Sequence, residues 1–265
     1  MPLTLISHFY NEEFLLPYWL RHHVPMFDHG VLIDYASTDN SVAIIRELAP
    51  NWEVRPSHNQ WFSAREVDAE VMHVEAMFAG WKIALNTTEF LLCHDLPLYV
   101  RWMEKYRTDV RGIWSWDVTL VDRLEERDDP VTQAPLHFQK RWGYFDNGGE
   151  HSRILHHEKD GQYHVGRHHS NIVSKIIDDG LFTVWLGWSP MRYITERKLQ
   201  IKTKIPQTDK DARMGHQHAL TADEMEHRYL DRAGKAYDLW ERHPNYREMI
   251  EYLANRNGLT AHGRG

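Results

Sequence analysis

Acidic and amide side chains follow the first two apolar segments of the chain. The first segment, residues 3–6, is followed by Asn11 and Glu13. The second, residues 30–33, is followed by Asp34 and Asp39. Carboxylate and amide oxygens accept hydrogen bonds from hydroxyl and N–H donors. We therefore expect these four side chains to contact the ribose hydroxyls or the base edge of a nucleoside.

The elements that would position these side chains form a βαβ unit. The first apolar segment predicts a strand, residues 16–23 a helix and residues 30–33 a second strand. Because ligands of open α/β sheets bind outside the carboxyl ends of the strands, both polar loops belong to one expected site. Asn11, Glu13 and Asp39 have a second role open to them, since such side chains also stabilise helix N-termini.

Further elements are predicted along the chain. Residues 52–55 predict a third strand, residues 89–93 a buried strand and residues 112–121 another strand. Capping boxes at residues 63–66 and 221–224 predict the beginnings of two helices. Apolar residues at intervals of three and four extend the first of these helices over about five turns: Val67, Val71, Val74, Phe78, Trp81 and Leu85.

The composition limits the class of protein. A chain of 265 residues fits one large α/β domain. The net charge of −7 does not favour a nucleic-acid partner, and the single cysteine excludes an intramolecular disulfide. The sequence contains no apolar run of about 18 residues and no basic leader, so we expect no membrane span and a cytoplasmic protein. The 11 tryptophans suit carbohydrate binding, since flat apolar rings stack on sugar faces.

Three segments carry a resemblance to a known family. Residues 10–13 are Tyr-Asn-Glu-Glu, residues 16–23 are Leu-Pro-Tyr-Trp-Leu-Arg-His-His, and residues 33–41 are Ile-Asp-Tyr-Ala-Ser-Thr-Asp-Asn-Ser. They resemble the N-terminal half of family-2-like glycosyltransferases of the GT-A fold, in which such segments surround the nucleoside of a sugar nucleotide. The resemblance is specific over residues 1–45 and looser to about residue 105. It implies a GT-A-like α/β fold with a mostly parallel central sheet and helices on both faces.

The resemblance also implies a reaction. A sugar would be transferred, with inversion, from a UDP- or GDP-linked donor to a carbohydrate or other hydroxyl acceptor. The family places a D-x-D motif after its fourth strand, where a carboxylate binds Mn²⁺ or Mg²⁺ on the diphosphate. Residues 89–93 resemble that strand, with Asp95 as the first acid and Pro97 in place of the second. His218, in a C-terminal Gly-His-Gln-His segment, is the expected second metal ligand.

Two further roles follow from this reaction. By analogy with the family's C-terminal loop, Lys202 or Lys204 would neutralise phosphate charge on the leaving group. An inverting transfer also needs a carboxylate base that takes the proton of the acceptor hydroxyl. Asp146, Glu150 and Asp117 are the candidates, and Asp146 is preferred.

The chain is expected to be a single catalytic domain with three parts. These are a nucleotide-binding half at 1–105, an acceptor and catalytic half at 106–220 and a helical segment at 221–265. Two other functions remain open. A sugar-nucleotide-binding protein without transfer activity is consistent with Pro97. A His-rich metallohydrolase would use the histidines at 168–169 and 216–218.

Overall fold

The computed structural model describes residues 1–146, 152–211 and 220–256. Within these ranges the protein is α/β, with helices flanking one mixed sheet. The strands are β1 (Leu3–Phe9), β2 (His29–Asp34), β3 (Glu53–Pro56), β4 (Trp81–Ala84), β5 (Glu89–Leu92), β6 (Gly112–Val121), β7 (Trp142–Phe145), β8 (Ile154–His156), β9 (Lys175–Trp188) and β10 (Tyr237–Asp238). The helices are α1 (Leu16–His23), α2 (Ser41–Leu48), α3 (Ala64–Glu75), α4 (Leu96–Tyr106), α5 (Leu136–Gln139), α6 (Met191–Lys202), α7 (Gln207–Asp211), α8 (Ala222–Lys235), α9 (Leu239–Arg242) and α10 (Pro244–Arg256).

The N-terminal strands form the parallel part of the sheet, in the order β4-β1-β2-β3. Ile6 of β1 pairs with Val31 of β2 on one side and with Ala84 of β4 on the other. The predicted βαβ unit and the predicted strands at 52–55 and 112–121 are confirmed. The carboxyl ends of β1, β2, β3 and β4 therefore lie at one edge of the sheet.

Helices cover both faces of these parallel strands. Leu5 of β1 and Leu32 of β2 belong to the apolar cluster that includes residues of α1 and α2. Ile6 and Val31, their neighbours in the chain, belong to the cluster that includes residues of α3. Because successive strand residues point to opposite faces, the two clusters lie on opposite sides of the sheet.

The predicted five-turn helix is wrong in its second half. α3 ends at Glu75, and Trp81, which was counted on its apolar face, begins β4. Gly80 lies between them with φ +92°, and a Cβ there would stand 2.4 Å from the carbonyl oxygen of Pro2. This position therefore requires glycine, and the three-to-four spacing continues across the turn only by coincidence.

The strand expected to carry the metal-binding motif, β5, does not lie beside β1 in the sheet. β5 is antiparallel to β9, whereas β4 is the parallel neighbour of β1. The loop at the parallel edge is therefore residues 85–88, Leu-Asn-Thr-Thr, and not the segment that contains Asp95. Both strands are four residues long and fully buried, and hydrophobic pattern does not distinguish two such segments.

Beyond the parallel strands the sheet is mixed. β6 pairs in parallel with β9 and antiparallel with β7 and β8. The predicted capping box at the start of α8 is confirmed, because the hydroxyl of Thr221 accepts a hydrogen bond from the N–H of Glu224 and the carboxylate of Glu224 accepts one from the N–H of Thr221. Throughout the described ranges, every helix is too short or too polar to span a bilayer.

Candidate functional site

A cavity of about 560 Å³ opens at the carboxyl ends of β2 and β3, and we call it the outer pocket. It is lined by residues 34–36, 56–61, 203 and 204. Asp34 lies in its wall, with one carboxylate oxygen accepting a hydrogen bond from the N–H of Ser37 at 2.9 Å. Trp61 stands in the same wall with 47% of its surface exposed. The outer pocket thus combines a carboxylate with an accessible aromatic ring.

The other polar residues expected at this edge bind each other across two loops. The Asn11 side chain accepts from the N–H of Thr38 at 2.7 Å, and Asp39 accepts from the N–H of Glu13 at 3.0 Å. The Glu13 carboxylate accepts from the N–H of Asn40 at 3.1 Å. These bonds join the β1–α1 loop to the β2–α2 loop. In this structure Asn11, Glu13 and Asp39 stabilise the rim, while Asp34 lines the outer pocket itself.

The two lysines expected at the phosphates lie in different surroundings. The Nζ of Lys204 stands 4.4 Å from the centre of the Tyr10 ring, and its backbone carbonyl accepts a hydrogen bond from the N–H of Phe62. Lys204 therefore lies where the outer pocket adjoins a second cavity. Lys202 instead donates to the carbonyl oxygen of Leu220 at 3.0 Å and lines neither cavity.

The second cavity, of about 540 Å³, lies at the carboxyl ends of β1, β4 and β9, and we call it the inner pocket. Its wall includes the β4–β5 loop, the short helix Val165–Arg167 and one face of α6. The histidine cluster found in the sequence faces it, because both His168 and His169 belong to the lining. Tyr10 and Phe62 also belong to this lining and mark the border with the outer pocket.

Buried ion pairs surround the inner pocket. Three arginines of its lining are bonded to three carboxylates of its lining: Arg197 to Glu12 at 2.6 Å, Arg167 to Asp68 at 2.5 Å, and Arg153 to Glu89 at 2.5 Å. Breaking such a pair leaves an uncompensated buried charge, at a cost of about 3–5 kcal/mol. The three pairs therefore fix the shape of the pocket wall. Burial raises the pKa of the Glu12 carboxyl, an effect that Arg197 opposes.

The fourth carboxylate of the inner pocket has a structural partner of its own. Asp209 accepts a hydrogen bond from the N–H of Ala64 at 2.8 Å. The first turn of α3 is thus capped by a distant residue, whereas the side chain of Ser63 makes no capping bond. The capping box predicted at 63–66 therefore marks the start of the helix correctly but not its capping group.

Lys198 differs from the other cations of the inner pocket. Its side chain is 5% exposed, and its Nζ lies 3.4 Å from the centre of the Trp188 ring. Within the described residues it has neither a carboxylate partner nor a hydrogen-bond acceptor. Burial, together with the positive charges of Arg197, Arg232 and Arg228, lowers the pKa of Lys198 to about 7. The pocket thus contains a buried amine without a counter-ion among the described residues.

The described lining does not fit a divalent cation held by the protein. Mg²⁺ and Mn²⁺ prefer carboxylate, carbonyl and water ligands, but the β4–β5 loop offers Asn86, Thr87 and Thr88. In the described residues no group of three His, Cys, Asp or Glu side chains could hold a metal ion. Asp95 lies outside both linings and caps α4, accepting from the N–H of Leu98 at 2.9 Å. His218 lies outside the described residues.

The three expected base candidates do not line either pocket where they are described. Asp117 and Asp146 are close to each other, since the N–H of Asp146 donates to the carbonyl oxygen of Asp117 at 3.3 Å. Burial raises the pKa of Tyr144, and the negative charges of Asp146 and Asp117 also act to raise it. Glu150 lies outside the described residues and stands three positions before Arg153 in the sequence.

Several residues of the inner pocket were not predicted from the sequence. Arg153 and Arg197 give no local signal, because their carboxylate partners are 64 and 185 positions away. Lys198 does give a local signal in the sequence, because it interrupts a row of apolar residues at intervals of three and four. That row is Met191, Ile194, Lys198, Ile201 and Ile205.

The structure is thus an α/β protein with two adjoining pockets at the carboxyl edge of its parallel strands, the inner one lined by several charged side chains. No protein-family model matches the chain, and no curated protein matches it. Among solved structures it is similar to residues 1–349 of TarS from S. aureus, with a TM-score of 0.40 and 11% identity over 77% of this chain and 65% of that one.

The chain is also similar to glucosyl-3-phosphoglycerate synthase from Mycobacterium tuberculosis in complex with Mn²⁺, uridine diphosphate and glucosyl-3-phosphoglycerate. The TM-score is 0.32 and the identity 14%, over 59% of this chain and 57% of that one. This chain therefore spans less than two thirds of either protein.

Proposed function

We propose that this protein transfers a sugar from a nucleoside-diphosphate sugar, UDP- or GDP-linked, to an acceptor hydroxyl. The observation that carries the proposal is the pair of adjoining pockets at one sheet edge, an outer one with Asp34 and Trp61 and an inner one rich in arginine and lysine. The resemblance of residues 1–45 to family-2-like glycosyltransferases supports the same conclusion.

The nucleoside occupies the outer pocket in this proposal. Asp34 accepts hydrogen bonds from the ribose hydroxyls or the base edge, since an ionised carboxylate is an acceptor only. Trp61 offers its exposed ring for stacking on the base, an interaction worth about 1–3 kcal/mol. Asn11, Glu13 and Asp39 act through the loops that they hold together, and through them they position Asp34.

The diphosphate crosses from the outer to the inner pocket beside Lys204. This lysine stands at the border, over the Tyr10 ring, where its charge stabilises the phosphates. The sugar then lies in the inner pocket, whose volume of about 540 Å³ fits a small-molecule site. Lys202 is bonded to a backbone carbonyl instead, so the phosphate role goes to Lys204.

The acceptor hydroxyl attacks the anomeric carbon, opposite the diphosphate, and the configuration inverts. The bond from the anomeric carbon to the diphosphate oxygen breaks, its electron pair stays on that oxygen, and a carboxylate takes the hydroxyl proton. Asp146, Glu150 and Asp117 remain the candidates for this base. Asp146 and Asp117 lie outside both linings, and Glu150 stands three positions before Arg153 in the sequence.

The sequence predicts Mn²⁺ or Mg²⁺ at the diphosphate, but the described lining does not fit such an ion. Of the two ligands expected from the sequence, Asp95 caps a helix away from both pockets. The role of His218 as a metal ligand stays a prediction, and so does a cytoplasmic location.

A sugar-nucleotide-binding protein without transfer activity is the second candidate, favoured by the absence of a carboxylate from residues 85–88. The metallohydrolase stays an open alternative, since the histidines at 216–218 lie outside the residues that were found to contain no three-ligand group.

Thermal unfolding in the presence of nucleotides tests the proposal first. UDP, GDP, UDP-glucose and GDP-mannose would each be added with and without Mn²⁺. A ligand at one hundred times its dissociation constant adds about 2.7 kcal/mol to the free energy of unfolding, which raises the midpoint measurably. Stabilisation by one nucleoside diphosphate supports the site. If no nucleotide stabilises the protein under either condition, the proposal is wrong.

The second candidate is separated from the first by an assay of donor turnover. A transferase releases the free nucleoside diphosphate when the donor and a suitable acceptor are present, whereas a binding protein leaves the donor intact. Acceptor panels should include simple sugars and other small hydroxyl compounds. The variants Glu150→Gln, Asp146→Asn and Asp117→Asn should be compared in this assay, since each keeps the size of its side chain and removes one candidate base.

A further inference from the structure

The carboxylates of the inner pocket are already engaged. Glu12, Asp68 and Glu89 are each bonded to an arginine. Asp209 accepts from the backbone N–H of Ala64. A divalent cation that needs several oxygen ligands would have to take most of them from these buried pairs. Each pair broken in this way leaves an arginine without its counter-ion.

The cations of the pocket are engaged to a smaller extent. Lys198 has no acceptor for its ammonium group within the described residues. Arg197 uses its Nε for Glu12, and its terminal nitrogens make one long contact, 3.5 Å to the hydroxyl of Thr87. These two side chains are neighbours on α6, and both line the inner pocket. Among the charged side chains of the pocket, the structure thus presents unsatisfied donors to a ligand.

We propose that Lys198 and Arg197 neutralise the diphosphate of the donor, so that the protein binds the nucleotide without a divalent cation. This inference rests on the proposed function and specifies how its donor site works. A bound anion would supply the negative charge that is missing beside these donors. It would receive the three N–H donors of the Lys198 ammonium and the terminal N–H groups of Arg197.

The energetics of Lys198 agree with such a role. A buried charge without a partner destabilises the folded protein, and nothing in the surrounding apolar packing requires a lysine at this position. Met191, Ile194 and Ile201, which share its face of α6, are all buried apolar residues. Binding of an anion supplies the missing counter-ion. The free-energy cost of burying the Lys198 charge without a counter-ion is therefore present in the free protein and removed in the complex.

Isothermal titration of UDP and of GDP tests the inference, once in excess EDTA and once in Mn²⁺. The proteins are the wild type, Lys198→Met, Lys198→Arg and, as the control, Lys235→Met, which removes an exposed lysine of α8 that is paired only with Asp231. We expect one nucleotide to bind the wild type equally well in EDTA and in Mn²⁺. Lys198→Met should lower that affinity about ten- to hundredfold, as expected for a hydrogen bond to a charged group.

The control Lys235→Met should bind like the wild type, and Lys198→Arg should keep most of the affinity because it keeps the charge. Thermal unfolding of each variant without ligand verifies that it folds. Binding that occurs only in Mn²⁺ would overturn the inference and leave the proposed function standing. Unchanged affinity in a folded Lys198→Met would overturn it as well. If neither nucleotide binds the wild type in EDTA or in Mn²⁺, the proposed function itself fails.

Discussion

The ammonium group of Lys198 lies 3.4 Å from the centre of the Trp188 ring, in the wall of the inner pocket. The guanidinium of Arg232 lies over the same ring at 5.7 Å. One aromatic ring therefore interacts with two positive charges. A cation–π contact that is shielded from water contributes about 2 kcal/mol, which offsets only part of the cost of burying the lysine charge.

The first prediction concerns the stability of a variant at this position. Lys198→Met should raise the free energy of unfolding at pH 7 by about 1–4 kcal/mol, the range found when buried charges are replaced by apolar side chains of similar size. Methionine keeps the packing against Trp188 and removes the charge. Urea denaturation measures the change. A lower stability would mean that the ammonium group makes a stabilising contact that this structure does not contain.

The gain in stability should depend on pH in a defined direction. Burial lowers the pKa of Lys198 from 10.5 to about 7, so between these values the unfolded chain binds more protons than the folded protein. The stability contributed by this group therefore rises with pH across that window. The advantage of Lys198→Met should shrink between pH 7 and pH 9.5, with Lys235→Met again as the control. A constant difference would contradict the assigned pKa.

The second prediction concerns proton uptake on nucleotide binding. The free protein holds Lys198 with a pKa of about 7, among Arg197, Arg228 and Arg232 and the rings of Trp185 and Trp188. A bound diphosphate raises this pKa because it favours the charged form. Above pH 7 binding should therefore take up a proton, and affinity should fall as pH rises from 7 to 9.

Titration calorimetry at pH 8 in buffers of different ionisation enthalpy counts that proton directly. The phosphate groups do not interfere, since their second pKa is near 6 and they stay ionised throughout this range. Lys198→Met should bind without proton uptake. Equal uptake in the wild type and in Lys198→Met would assign the proton to another group and contradict the prediction.

The N-terminal half of the site could be predicted from the sequence because its signals are local. The apolar runs of β1 and β2 and the polar residues after them are contiguous, so Asp34 could be assigned to a strand end before the structure was known. The inner pocket could not be predicted in this way. Arg197 and Glu12 are 185 positions apart, and their pairing depends on how α6 packs against the first loop of the sheet.

The difference between the expected and the observed surroundings of Asp95 has a similar physical cause. β4 and β5 are equally short and equally buried, so their patterns do not reveal which of them lies beside β1. The loop after each strand could then be mistaken for the other. Lys198, in contrast, gave a readable signal, since a lysine within an apolar helical row predicts either a buried charge or a break in the helix. Such interruptions are a useful guide to buried functional groups.

The third prediction separates two of the three aspartates that were expected at the donor, Asp34 and Asp95. Asp95→Ala should leave nucleotide affinity unchanged and lower the free energy of unfolding by about 1 kcal/mol, because it removes the side-chain cap of α4. Asp34→Ala should weaken nucleotide binding about tenfold or more, because it removes a carboxylate acceptor from the outer pocket. Calorimetric titration and urea denaturation of both variants check the two effects. Loss of binding in a folded Asp95→Ala would restore the metal assignment made from the sequence.

The last prediction concerns acid stability and a cluster of buried histidines away from both pockets. The rings of His23 and His137 lie 4.7 Å and 4.6 Å from that of His22. Burial lowers the pKa of His22 from 6.5 to about 4, and it lowers the pKa values of the other two well below their usual range. As pH falls below 6.5 the unfolded chain therefore takes up protons that the folded protein does not, and stability is lost. His22 alone should cost about 2–3 kcal/mol of unfolding free energy by pH 4.5.

Urea denaturation at pH 7 and pH 4.5 measures the total loss, to which protonation of the carboxylates in the arginine pairs also contributes. His137→Leu isolates one histidine, because neither ring nitrogen of His137 has a hydrogen-bond partner among the described residues. This variant should lose less stability between the two pH values than the wild type, whereas His227→Gln, at an exposed position of α8, should lose the same amount. Parallel losses in the wild type and His137→Leu would show that the cluster does not set the acid sensitivity of the protein.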